Sequence, residues 1–145
     1  MNIIIHTGVL PGWQEKHREF YCKEVFGRLS RAYPQHHFIF FTSGQQREEI
    51  LKSDNVEVYY PGKMAAHPIL WKYWYAIKLP ALLKKFKADV FIDMEGICSL
   101  RAKIPQCILY MDKAFSDKKN FWMLKRNIPH FLNKAKTVIT LSATT

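Results

Sequence analysis

A chain of 145 residues has room for one domain with a sizeable core and little room for a second. At 48% hydrophobic and 23% charged it has a globular composition, which excludes an intrinsically disordered chain. A formal net charge of +10 points to an anionic partner: nucleic acid, a phospholipid surface or a phosphorylated small molecule.

The run "NIIIH" at 2–6 is too short for a helix, is closed by Thr7 and Gly8, and reads as a fully buried strand. The start of the chain has no basic lead, and no apolar run reaches the 18 or so residues of a spanning helix. Cys22, Val25, Phe26, Leu29, Ala32 and Tyr33 recur at helical spacing up to Pro34, which ends a crossover helix. Cys22, Cys98 and Cys107 show neither disulfide nor metal-ligand spacing, so buried thiols in a reducing, cytoplasmic setting are expected. Further strands are expected over 37–42, 56–60, 89–93, 107–111 and 137–142, with a short helix over 45–53. A last helix is marked by Phe121, Leu124, Ile128, Phe131, Leu132 and Ala135 and bent at Pro129, while the link between the fourth and fifth strands is less regular. Several strands are apolar throughout, which implies cover on both faces and, with helices between strands, a parallel sheet. The expected fold is α/β: a Rossmann-like, doubly wound, mostly parallel sheet of about six strands in one domain, 1–145.

Between the third and fourth strands lies "HPILWKYWYAIKLPALLKKFK", 67–87, with Pro68 suited to a first helical position and Pro80 to a kink. One stripe, Trp71, Tyr75, Leu79, Leu82 and Phe86, should pack on the sheet. A second, Leu70, Tyr73, Trp74, Ile77 and Ala81, lies on the opposite side, where the same sheet does not reach. No acidic residue occurs from Val58 to Ala88, whereas Lys63, Lys72, Lys78, Lys84, Lys85 and Lys87 do. Lys72, Trp74, Lys78 and Lys85 are therefore expected on a surface for a partner or an anionic membrane. The alternative is a helix sandwiched inside the protein with its lysines reaching out to water.

Doubly wound sheets bind ligands beyond the carboxyl ends of their strands. There the sequence places Thr7 and Gly8, Asp93 and Glu95, Asp112, and Ser142, with His6 at the tip of the first strand. Each such residue also serves turns and helix caps, and their convergence on one rim favours a site. Gly8 and Gly12 sit in a loop whose backbone donors suit an anion or a sugar hydroxyl. Neither a dinucleotide fingerprint nor a Walker loop is present, and the histidines lack metal-ligand spacing, so no cofactor and no metal are expected. No helix-turn-helix, zinc-ligand or aromatic RNA-binding signature appears, so nucleic acid is not the expected partner.

The stretches "HPILWKYWYAIKLPALLKKFKADVFI", "GICSLRAKIPQCILYMDKAF" and "FLNKAKTVITLS" resemble the later part of the N-terminal domain of family 4 GT-B glycosyltransferases. These are retaining enzymes of bacterial polysaccharide and lipopolysaccharide assembly. The likeness covers most of 67–142, and before that it is one of element order. It implies an acceptor-side domain for a glycan or glycolipid, in the cytoplasm, and at the inner face of the membrane if the basic helix touches anionic lipid. Asp112 would be catalytic, and Thr7, Gly8, Gly12, Glu95 and Lys113 would face the acceptor. The family's fifth strand commonly ends in His-Asp, where this chain has Met111-Asp112; methionine is only a weak acceptor, so polar contact falls to Asp112, Lys113 or water. "LPGWQEKHREF" likewise stands where the family has a Gly-x-Gly-Arg-like turn. Nucleotide-sugar binding would belong to a C-terminal domain after the last strand, so residues 1–145 alone are expected to be inactive. The competing expectation is a non-catalytic basic module for an anionic partner, membrane surface or nucleic acid, or one that pairs with a separate donor domain through the Trp74 stripe.

Overall fold

The structure, a computed structural model, describes residues 1–7, 21–42, 53–61, 68–110 and 122–140. Six strands form one sheet: β1 (Asn2–His6), β2 (His37–Phe41), β3 (Val56–Tyr59), β4 (Val90–Asp93), β5 (Gln106–Tyr110) and β6 (Thr137–Thr140). Their order is β3-β2-β1-β4-β5-β6, and every neighbouring pair is parallel. This is a Rossmann-like α/β fold, and the apolar runs of the sequence mark all six strands to within two residues.

Successive side chains of a strand point to opposite faces, so burial on both faces requires continuous apolar runs. Ile4, Ile39, Phe41, Phe91 and Ile108 form one face, packed with Trp74, Tyr75, Leu79, Leu83 and Phe131 from the helices. Ile3, Ile5, Phe38 and Phe40 form the other, against Phe26 and Leu29. In the register, Ile4 lies between Ile39 and Phe91 at the centre of the sheet. Among the described residues, no helix is long and apolar enough to cross a membrane.

Helix α1 is π-helical over Tyr21–Phe26 and α-helical over Gly27–Ala32. Its apolar stripe departs from a uniform 3.6-residue period: Val25 and Tyr33 are exposed, whereas Ser30 is buried and donates to the Gly27 carbonyl at 2.9 Å. The short helix expected over 45–53 lies, except for its last residue, outside the described residues. Helix α2 has three parts: α-helical Pro68–Tyr73, π-helical Trp74–Lys78 and α-helical Leu79–Lys85. Pro80 has no N–H for the carbonyl of Ala76, four residues back, and its ring crowds that carbonyl; the wide π turn falls where this conflict arises.

The π turn also rotates the helix relative to the stripes that the sequence suggests. Trp74, expected on an outward surface, is 3% exposed and packs beside Tyr75 in the core. The remainder of that stripe does face outward: Leu70, Tyr73 and Ile77 are 50%, 53% and 50% exposed. The sandwiched alternative therefore holds for Trp74 and not for Leu70, Tyr73 and Ile77. Helix α2 ends in a Schellman arrangement, with Ala88 N donating to Leu83 O at 2.9 Å and Lys87 N to Lys84 O at 3.1 Å. Lys87 occupies the left-handed position, φ 50°, which glycine usually takes.

Residues 94–105 connect β4 to β5 without a helix, as the irregular sequence there suggests. Gln106 pins this segment by accepting from Ser99 N and donating to Ser99 O, both at 2.8 Å. Helix α3 (Trp122–Lys134) runs through Pro129 and leads into β6.

Candidate functional site

From β1 the chain winds outward through β2 and β3, and from β4 it winds the other way through β5 and β6. The reversal falls between β1 and β4, and the crevice beyond their carboxyl ends is where such sheets place ligands. His6 ends β1, Asp93 ends β4, and the two are register partners. On the same face lies Tyr75 of α2.

These three side chains form one buried network. Asp93 Oδ2 accepts from the Tyr75 hydroxyl at 2.7 Å and lies 3.1 Å from His6 Nδ1, itself 3.3 Å from the Tyr75 oxygen. The other oxygen, Oδ1, accepts from the backbone N–H of Glu95 at 2.7 Å and of Ile97 at 3.4 Å. Gly96, at φ 77°, supplies the left-handed residue that lets the chain fold back over the carboxylate. A carboxylate oxygen accepts, so the contact with Asp93 is made by a proton on His6 Nδ1. The His6 ring lies 4.9 Å from the Trp74 ring at 33° and meets Tyr75 edge-on at 6.1 Å.

The Tyr75 hydroxyl is held neutral. Burial, then the charges of Asp93 and Glu95, raise its pKa well above 10. Below pH 10 both folded and unfolded chains carry this proton; above it the unfolded chain ionises while the folded one does not, so stability falls as pH rises. Tyr75→Phe should remove that dependence, making the decline above pH 10 shallower by up to about 1.4 kcal/mol per pH unit. Urea titrations of both proteins from pH 9 to 11 measure the difference, and parallel declines would contradict the buried phenol. Nearby, burial and then Asp93 push the Cys98 thiol up to about 12, an inert thiol that donates to the Phe131 carbonyl.

Glu95 is buried immediately above this network. His6, Asp93 and Glu95 each offer a potential ligand atom, all within 4.8 Å of one another. Both Asp93 oxygens already serve as acceptors, so a cation here would have to displace the donors that hold the turn. The constellation suits hydrogen bonding to a hydroxylated ligand better than a metal.

Of the residues expected at this rim, Glu95 lies within the cluster. Thr7 is buried and its hydroxyl donates to the Phe41 carbonyl at 3.1 Å, fastening β1 to β2. Gly8, Gly12, Asp112 and Lys113 lie outside the described residues. On the expected partner surface, Lys72 is exposed, and Lys85 is exposed with its ammonium 5.4 Å from the centre of the Tyr59 ring. Lys78 is instead half-buried and bonded to the Pro61 carbonyl, because it projects toward the end of β3. The sequence does not mark Tyr75 as a site residue because it falls on a core-facing stripe. Its hydroxyl was the available signal, since a buried phenol needs a polar partner. Compared with protein-family models, with curated proteins and with solved structures, the chain matches none.

Proposed function

We propose that this chain is the acceptor-side domain of a retaining glycosyltransferase, holding a hydroxyl-bearing glycan or glycolipid at the carboxyl ends of β1 and β4. The observation that carries this reading is the buried His6–Asp93–Tyr75 network with Glu95 beside it at the reversal of the sheet. Asp93 fixes the turn that carries Glu95 and orients the His6 ring, so a carboxylate and an imidazole sit together beside the crevice that would receive the sugar. Both are constrained before any ligand arrives, which lowers the ordering cost of binding. The sugar-transfer assignment itself draws on the resemblance of residues 67–142, which places nucleotide-sugar binding in another domain.

Saturation-transfer NMR with methyl glucoside, methyl galactoside and methyl mannoside tests the reading, with uridine diphosphate as a control. At least one glycoside should receive saturation, the nucleotide should not, and Glu95→Gln should lose the glycoside signal while keeping its circular dichroism. Silence from all three glycosides, or an unchanged signal in Glu95→Gln, would overturn it.

A further inference from the structure

The connection between β4 and β5 leaves room that a helix would fill. A helix with its side chains is about 10–12 Å across, and a single extended segment is much thinner. Beside residues 97–104 there are two cavities that share Arg101, of about 210 Å³ and about 390 Å³. The smaller lies between α2 and α3, with Tyr75 in its wall. The larger lies against the second half of α2, near the amino ends of β4 and β5, and so at the opposite end of the sheet from His6 and Asp93.

Four cations line the larger cavity, Lys84, Lys87, Arg101 and Lys103, all exposed, and its apolar wall includes Leu83, Ala102 and Ile104. None of the four has a carboxylate partner among the described residues. No acidic residue occurs in 68–88, 96–110 or 122–136, so α2, the connection after Glu95 and α3 carry only basic charges. Asp89, the nearest acid in sequence, accepts from the backbone of Asn2. Lys84 lies in the last turn of α2, where a cation complements the helix dipole. That account does not reach Arg101 and Lys103, which belong to no helix, nor Lys87, which holds a backbone conformation that glycine would adopt more easily.

We propose that this groove binds a phosphate group, with the apolar wall receiving the chain attached to it. An arginine fork with three lysines around it suits the oxygens of a phosphate. The exposed Leu70, Tyr73 and Ile77 further along α2 suit a lipid source, and a soluble phosphorylated molecule offers the same group. The inference is independent of the sugar site.

Backbone amide shifts of the whole chain at low ionic strength test it, with inorganic phosphate, dihexanoyl phosphatidic acid below its micellar concentration and dihexanoyl phosphatidylcholine as probes. Phosphatidic acid should shift Arg101, Ala102 and Lys103 saturably, and Arg101→Gln with Lys103→Gln should weaken it about tenfold or more. Lys87→Gly should also weaken it while raising the melting temperature, which separates loss of binding from loss of fold. Equal affinity for inorganic phosphate would assign the group to soluble molecules, and preference for phosphatidic acid to lipid headgroups. Unchanged affinity in the variants, equal binding of phosphatidylcholine, or no shift with either phosphate probe would overturn the proposal.

Discussion

Asp93→Ala is expected to destabilise the protein by about 3–5 kcal/mol, a large part of the whole for a chain of this size. The carboxylate is fully buried and takes donors from four groups: the Tyr75 hydroxyl, His6 Nδ1 and the backbone of Glu95 and Ile97. Alanine removes the acceptor from all four in the buried interior, and an unsatisfied buried donor costs more than an ordinary hydrogen bond contributes. Asp93→Asn separates the two halves of the network. Its remaining carbonyl can still accept from the turn, while its amide opposes the donors of His6 and Tyr75, so it should recover roughly half of the loss. Urea unfolding followed by circular dichroism measures both. A loss below about 1 kcal/mol in the alanine variant would mean that the network does not hold the turn.

Trp74→Ala should be comparably damaging, at about 3–5 kcal/mol, because it empties a large volume between α2 and the sheet. Tyr73→Ala and Ile77→Ala, at positions one and three residues away, should each stay within about 0.5 kcal/mol, since both side chains are half exposed. The contrast tests the phase of the π turn directly. If α2 were regular throughout, Trp74 would share the outward stripe with Tyr73 and Ile77, and the three substitutions would have similar small effects. Thermal unfolding of the three variants decides between the two arrangements.

The architecture was legible in the sequence because the signals for it are local. Continuous apolar runs such as "NIIIH" and "HFIFF" have to be covered on both faces, and helical segments between them force parallel neighbours. The order in which those strands lie side by side has no local signal. It emerges from which crossovers run to which side, and it alone makes β1 and β4 neighbours although their register partners His6 and Asp93 are 87 residues apart.

The candidate site was legible only in part for the same reason. His6, Asp93 and Glu95 were recognisable as residues at strand ends, where an α/β sheet keeps its ligands. A uniform helical period puts Tyr75 and Trp74 on opposite stripes, and a widened turn before Pro80 carries Trp74 to the side of Tyr75. The groove beside residues 97–104 was equally hidden, because a cavity depends on the thickness of whatever covers the sheet. By itself the sequence determined the strands, the parallel sheet and the acid-free basic segment, all properties that neighbouring residues set together. Only the tertiary structure decided the strand order, the partners of Asp93 and the facing of α2, because these depend on the packing of segments far apart in the chain.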